Sequence, residues 1–345
     1  MIFLKGIIYL ILGIISFFSI LSDHDKSSET DQYEEIINDY LGIDDGSSTD
    51  DYTEADAGSS EYGYTEADSG SSDYEYTDYD DDFDDKYYFY NAHHGSADTP
   101  DGTTVVVTIF ADDKDYAWDP DSDLDNATKS DVNQYLIVAA DYLESVVANY
   151  GKTANFITDF ETYPDLKYTA SFDQQMTKTD DVDYPAWEYI DDNIDMEAIK
   201  TKYNADNVIF FMVFNTDEKN SAVTCTRNWY EGMEYPYEIV YLYNFDYDCI
   251  NGPAVYAHEM LHAFGAPDLY TEDEFYRIDS TVISYVDRYL PNEIMYTCTD
   301  LDSYEYTYDR VTNEVTDLTA YYVGLTDHSE VYDEFCLSGN EHFDE

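Results

Sequence analysis

The sequence predicts an α+β domain over residues 101–345, on three observations. Thr104–Phe110 is a β-rich run bounded by Gly102 and Ala111-Asp112-Asp113. Ser130–Tyr150 carries apolar residues at helical spacing, and Val208–Phe214 is apolar at every position, as a central strand is. The aliphatic content from residue 101 onward suffices for one large core.

The elements follow in order. Leu136, Ile137, Ala140, Leu143, Val146 and Val147 lie on one face of the long helix, and Gly151 closes it. Asn155–Phe160 reads as a strand and Asp195–Tyr203 as a helix. Ala222–Thr226 and Glu238–Phe245 are expected as strands, the second alternating as an edge strand does. Asn251-Gly252-Pro253 starts a helix, with Pro in its first turn, and Val255, Leu261 and Phe264 give it a buried face. Asn313–Leu325 has helical spacing through Val315, Leu318, Tyr322 and Leu325 and is expected to be the closing helix.

Residues 1–100 have a different composition. Residues 1–22 form an apolar segment after a weakly positive start and are expected to act as a signal peptide or an uncleaved signal anchor. The mature chain is then secreted or tethered at the cell surface, and this segment is its one expected membrane contact. Residues 23–100 are acidic and rich in Tyr, Ser and Gly. Asp51-Tyr52-Thr53-Glu54-Ala55-Asp56-Ala57-Gly58-Ser59-Ser60 recurs as Gly63-Tyr64-Thr65-Glu66-Ala67-Asp68-Ser69-Gly70-Ser71-Ser72. A stretch that repels itself and has few aliphatics to bury is expected to be a disordered stalk.

The formal net charge of −62 excludes nucleic acid as a partner, because nothing is available to neutralise phosphates. Asp119-Pro120-Asp121-Ser122-Asp123-Leu124-Asp125 places carboxylates at alternate positions, as a Ca²⁺ loop does, so Ca²⁺ is a second candidate ion. It lacks the loop's Gly at the sixth position and Glu at the twelfth. The same carboxylates can instead favour the N-terminus of the following helix. The four cysteines, Cys225, Cys249, Cys298 and Cys336, all fall at or after residue 225 and are candidates for disulfides in an exported chain.

The chemistry concentrates in His258-Glu259-Met260-Leu261-His262-Ala263-Phe264-Gly265-Ala266-Pro267-Asp268. Four residues apart on a helix, His258 and His262 share a face and can grip one Zn²⁺. Glu259 is offset from that face, near enough to take a proton from a water activated by the metal. Gly265 lets the chain leave the helix sharply. The turn can then bring in a third ligand: Asp268, or a later carboxylate such as Glu274 or Glu293.

This run resembles the metzincin branch of zinc metallopeptidases. The continuation Gly265-Ala266-Pro267-Asp268-Leu269-Tyr270 is similar to immune-inhibitor-A-type peptidases, and an aspartate third ligand resembles the snapalysin-type enzymes. The resemblance covers about twenty residues and a Met-containing turn, Ile294-Met295-Tyr296. It implies a zincin-like fold, with a mixed twisted sheet, a backing helix and the active-site helix in an upper subdomain (101–265). A lower subdomain (266–345) would hold Met295 beneath the metal and Tyr296 as a contact to substrate or transition state.

The expected function is an exported zinc endopeptidase, one Zn²⁺ per chain, acting as a monomer on protein or peptide substrates with Glu259 as general base. The rivals are a surface interaction protein retaining a metallopeptidase-like domain for binding, and a metallo-aminopeptidase. The intact Glu259 argues against a binding-only role, which has no chemical use for that carboxylate. Limited proteolysis should trim residues 23 to about 95 and leave a resistant fragment starting near residue 100 with its metal retained. Unfolding of that fragment would show that the stalk is structural.

Overall fold

A side-chain run with no polar member can be accommodated only where both faces of a sheet are covered. Val208–Phe214 meets that condition in a computed structural model that describes residues 97–176, 183–220, 222–227, 239–246, 249–340 and 342–343. The apolar start of the chain, the acidic repeats and residues up to 96 lie outside the described residues. Among the described residues no helix is long and apolar enough to cross a membrane.

Strand β4 (Asn207–Phe214) is buried throughout and lies parallel to β1 (Gly102–Asp112), from Thr104 opposite Asn207 to Ala111 opposite Phe214. Strand β2 (Ala154–Ile157) pairs with the first part of β1, and β3 (Lys167–Ser171), which follows a 3₁₀ turn at Pro164–Leu166, pairs with its last part. Strand β6 (Ile239–Tyr243) runs parallel to β4 on the other side, and β5 (Cys225–Arg227) closes the sheet as its antiparallel member. The strand order is β2-β1-β4-β6-β5, with β3 beside β1. A two-stranded ribbon, β7 (Phe245–Asp246) with β8 (Cys249–Ile250), follows.

The expected edge position of Glu238–Phe245 is not the one observed. β6 is buried at all five positions, and the edge belongs to β5. Its alternation of aliphatic and aromatic residues looks amphipathic only if tyrosine is counted as polar. Tyr241 and Tyr243 instead bury their rings in the core, as large aromatic side chains commonly do.

Alternation along β1, β4 and β6 divides the core. Val106, Phe110, Ile209, Phe211, Val213, Val240 and Leu242 face α1 (Asp123–Asn149) and α4 (Pro253–His262). Val107, Ile109, Phe210, Met212 and Tyr241 face α2 (Asp183–Asn193) and α3 (Met196–Tyr203). Helix α2 was not anticipated, because acidic residues dilute its apolar positions. Ala186, Trp187 and Ile190 nevertheless form a stripe against the sheet.

Helix α1 starts earlier than Ser130. The Ser122 hydroxyl accepts from Asp125 N at 3.2 Å, with Asp123 and Asp125 in the first turn, where the helix dipole favours them. Asp125 Oδ2 also accepts from Asp119 N at 2.8 Å and from Asn215 Nδ2 at 3.0 Å. The carboxylates of Asp119–Asp125 thus organise a helix start.

After α4 the chain is irregular, holding α5 (Ser280–Tyr289), α6 (Asp317–Tyr322) and α7 (Glu330–Phe335). The closing helix is shorter than the span expected at 313–325. Asn313 is buried, and its amide donates to the carbonyls of Thr297 and Thr299 at 2.9 and 3.1 Å, so it serves as a tie and not as the first turn of a helix. The described residues form a mixed α+β fold with seven α-helices.

Phe211 joins the sheet to α4, its ring stacked on Tyr256 at 5.9 Å between centroids and 12° between planes. Phe211→Ala should cost about 3–5 kcal/mol of stability. Denaturant unfolding should show this as a lower midpoint at unchanged slope, and a loss under 1 kcal/mol would mean that the metal helix is held by other contacts.

Candidate metal centre

The site begins with the helix that carries it. Gly252 takes the N-cap position, Pro253 fills a first-turn position that needs no N–H donor, and α4 ends at His262. Gly265 follows at φ +93°, the left-handed conformation that glycine adopts without strain. Gly265 N donates to His262 O at 2.9 Å, and Ala266 N to Leu261 O at 3.1 Å. This turn sends the next residues back under the imidazoles.

The backbone then fixes both rings. His258 Nδ1 lies 2.9 Å from Ile294 O, and His262 Nδ1 lies 2.7 Å from Ala266 O. A carbonyl oxygen can only accept, so each neutral ring carries its proton on Nδ1 and a lone pair on Nε2. The two Nε2 atoms are 3.1 Å apart, and Asp268 Oδ1 is 3.2 Å from each. Asp268 Oδ1 is buried without a hydrogen-bond donor, because the Nε2 atoms facing it have no hydrogen to give.

Three lone-pair atoms aimed at one point repel unless a cation sits among them. A tetrahedral ion with bonds of ~2.0–2.1 Å to nitrogen and oxygen sets its ligand atoms about 3.3 Å apart, close to the triangle seen here. His258, His262 and Asp268 can therefore hold a metal ion. Among the described residues they are the one group of three or more His, Cys, Asp or Glu whose ligand atoms lie within 4.8 Å of one another.

The electrostatics agree. Burial works to raise the Asp268 pKa, but His262 and His258 outweigh it and hold the carboxyl far below its usual range. Burial works to lower His262, yet Asp268 leaves it raised. The pocket thus stabilises positive charge against the cost of burying it.

The other predicted residues fall as follows. Glu259 is buried beside the triangle, where Thr226 on the edge strand β5 donates its hydroxyl to Glu259 Oε2 at 2.7 Å. Met295 is fully buried in a turn closed by Tyr296 N to Glu293 O at 2.9 Å, and its own carbonyl accepts from Leu269 N at 2.9 Å. Tyr296 turns its hydroxyl to Asp287 Oδ1 on α5, 2.8 Å away. Glu274 is exposed. Glu293 is fully buried elsewhere, accepting from Thr316 N at 2.8 Å and Thr319 Oγ1 at 2.9 Å.

None of the four cysteines is at disulfide distance from another. Cys225 lies on β5, Cys249 on β8, and Cys336 at the left-handed end of α7. Cys298 lies close to His258, with Sγ 3.8 Å from Ile294 O. Two residues beside the site were given no role by the sequence reading. Thr226 gave no signal beyond its place in a predicted strand. Tyr270 was read only as the end of the motif that carries the resemblance, and its ring stacks on His258 with centroids 6.3 Å apart. No protein-family model matches the chain, and no curated protein matches it significantly, so its own chemistry carries the functional reading.

His258→Ala or His262→Ala should abolish metal retention, and Asp268→Ala should weaken it by ~10–100-fold or more in chelator competition. Glu274→Ala should leave retention unchanged. Glu293→Ala should lower stability by roughly 1–3 kcal/mol through unpaired buried donors while the folded protein keeps its metal. Metal loss in Glu274→Ala or Glu293→Ala but not in Asp268→Ala would refute this ligand set.

Proposed function

We propose that this chain is an exported zinc-dependent endopeptidase built on a zincin-like, metzincin-type domain. The observation that carries the reading is the converging triangle of His258, His262 and Asp268 with Glu259 held next to it. Two imidazoles and one carboxylate form a donor set suited to zinc, with a fourth position left for water and substrate. The mostly parallel sheet with its antiparallel edge strand, and the Met-containing turn whose Ile294 carbonyl anchors His258, are consistent with that architecture.

Zinc, when bound there, supplies Lewis acidity, making a water acidic near neutral pH and polarising a substrate carbonyl. The remaining chemistry belongs to the chain. Asp268 and the two imidazoles orient the site, each imidazole locked by its Nδ1 hydrogen bond. Glu259 accepts the proton of the attacking water at a carboxylate oxygen and passes it to the departing amine, so one residue serves as base and then as acid. The Thr226 hydroxyl lies 3.1 Å from Glu259 O and 2.7 Å from its Oε2, which ties the Glu259 side chain to the edge strand. The site's position beside the edge strand suits an extended peptide as substrate.

Glu259→Gln tests this reading because it preserves shape while removing proton acceptance. Zinc content and melting temperature should stay at wild-type values, and peptide hydrolysis should fall by about 10²–10⁴-fold. A wild-type protein that loads zinc yet cleaves nothing in a broad peptide library, or a Glu259→Gln variant that cleaves at the wild-type rate, would overturn the enzyme reading in favour of a binding domain.

A further inference from the structure

Asn126-Ala127-Thr128 is the one Asn-x-Ser/Thr triplet in the chain, and the function proposed above makes no use of it. It lies near the start of α1. Asp123 to Asp131 include no buried residue, because the buried stripe of α1 begins at Val132. This end of the helix therefore stands clear of the core, and Asn126 and Ala127 are both exposed.

On a helix the neighbours of Asn126 are the residues three and four positions away. Ser122, Asp123 and Ser130 have short side chains, and the last two are exposed. Lys129 is long, but its ammonium lies over the rings of Trp118 and Phe110, 4.9 and 5.3 Å from their centroids. The space in front of the Asn126 amide is thus open. That amide has two N–H bonds, and it donates to Pro120 O at 3.0 Å. A substituent on Nδ2 replaces one hydrogen and leaves the other for this bond. Thr128 Oγ1 donates to Leu124 O at 3.1 Å, and Asn126 N to Ser122 O at 3.1 Å. In the folded helix the hydroxyl and the backbone of the triplet are both engaged, so an enzyme that reads them must meet the chain before α1 forms.

We propose that Asn126 is an acceptor site for an N-linked oligosaccharide, attached during export and before α1 folds. The donor is a lipid-pyrophosphate-linked oligosaccharide. A bond forms between Asn126 Nδ2 and C1 of the first sugar, and the bond from C1 to the pyrophosphate oxygen breaks. The lipid pyrophosphate leaves with that electron pair, and the amide gives up one proton. Such a group is bulky and hydrophilic, and the exposed start of α1 accommodates it without displacing core. The inference rests on the export half of the proposed function and not on the metal centre.

The test is to translate the full chain in the presence of microsomes from a eukaryotic secretory pathway, reading protease protection beside gel mobility. The protected chain should run one step slower, and peptide N-glycosidase should remove the step. Asn126→Gln and Thr128→Ala should each abolish it, whereas Thr128→Ser should keep it. Folded protein added to detergent-opened microsomes should take no sugar while a peptide of residues 122–131 does, and sugar on the folded protein would overturn the order of events. A protected chain without the step, or a step that survives Asn126→Gln, overturns the site. An unprotected chain shows instead that the export reading has failed. The same chain with residues 1–22 replaced by a cleavable signal peptide then decides the site, which stands if the step appears and falls if it does not.

Discussion

Two hydrogen bonds from imidazole Nδ1 to backbone carbonyls govern the chemistry of this molecule. One runs from His258 to Ile294 O and the other from His262 to Ala266 O. They decide which nitrogen of each ring keeps its lone pair, and so they turn two adjacent histidines into ligands aimed at one point. Their acceptors come from the two irregular segments after α4, the turn following Gly265 and the turn around Met295. Those segments are ordered by the same requirement. Leu269 is bonded to Met295 O, so the segment carrying Asp268 and the turn carrying Ile294 brace each other as well as the rings.

The sheet supplies rigidity from the opposite side. Tyr256 of α4 stacks on Phe211 of the central strand, and Met260 and Leu261 are buried in the same core. The helix therefore cannot turn about its axis without breaking core contacts. Beneath the Met-containing turn the tie is polar: Glu293 is fully buried and accepts from the first turn of α6. Burial pushes the Glu293 pKa up despite these donors. Its folded pKa lies above the unfolded value, so its stabilising contribution is present at acid pH and is lost as pH rises through the raised value. The carboxylate is kept for geometry, since it links the turn holding His258 to a helix otherwise remote from the site.

Much of this was legible from residues alone, and the reason is chemical redundancy. His258, Glu259, His262, Gly265 and Asp268 each meet a separate requirement of one site, so their spacing carries information that no single residue has. The central strand was legible because seven consecutive apolar side chains admit few placements. The site's supporting groups were not. Thr226 reaches Glu259 from a strand 33 positions earlier in the chain, a relation that only the fold creates. Tyr296, which the resemblance implied as a contact to substrate or transition state, directs its hydroxyl to Asp287, a partnership that its place in the sequence does not reveal. Glu238–Phe245 was placed at the sheet edge because tyrosine alternates there with aliphatics, and ring burial made that period misleading. The early start of α1 depended on a single serine cap within an acidic cluster that resembled a calcium loop.

The chain's acidity sharpens the question of how one ion is chosen over another. A protein with formal net charge −62 draws cations of every kind toward its surface, and a field of that type does not distinguish one divalent ion from the next. Carboxylates alone favour the hard ions, calcium and magnesium, which exceed transition metals in most biological fluids. Discrimination therefore has to come from nitrogen. Two imidazoles with fixed lone pairs, one buried and one partly so, favour borderline first-row ions, and a triangle only 3.1–3.2 Å on a side is too tight for the longer bonds and higher coordination number of calcium. Were a divalent ion bound there, Asp268 would offset half of its charge and leave the rest to act on a bound group. In a molecule with so many carboxylates, the pair of imidazoles is what would give this candidate site any selectivity for an ion.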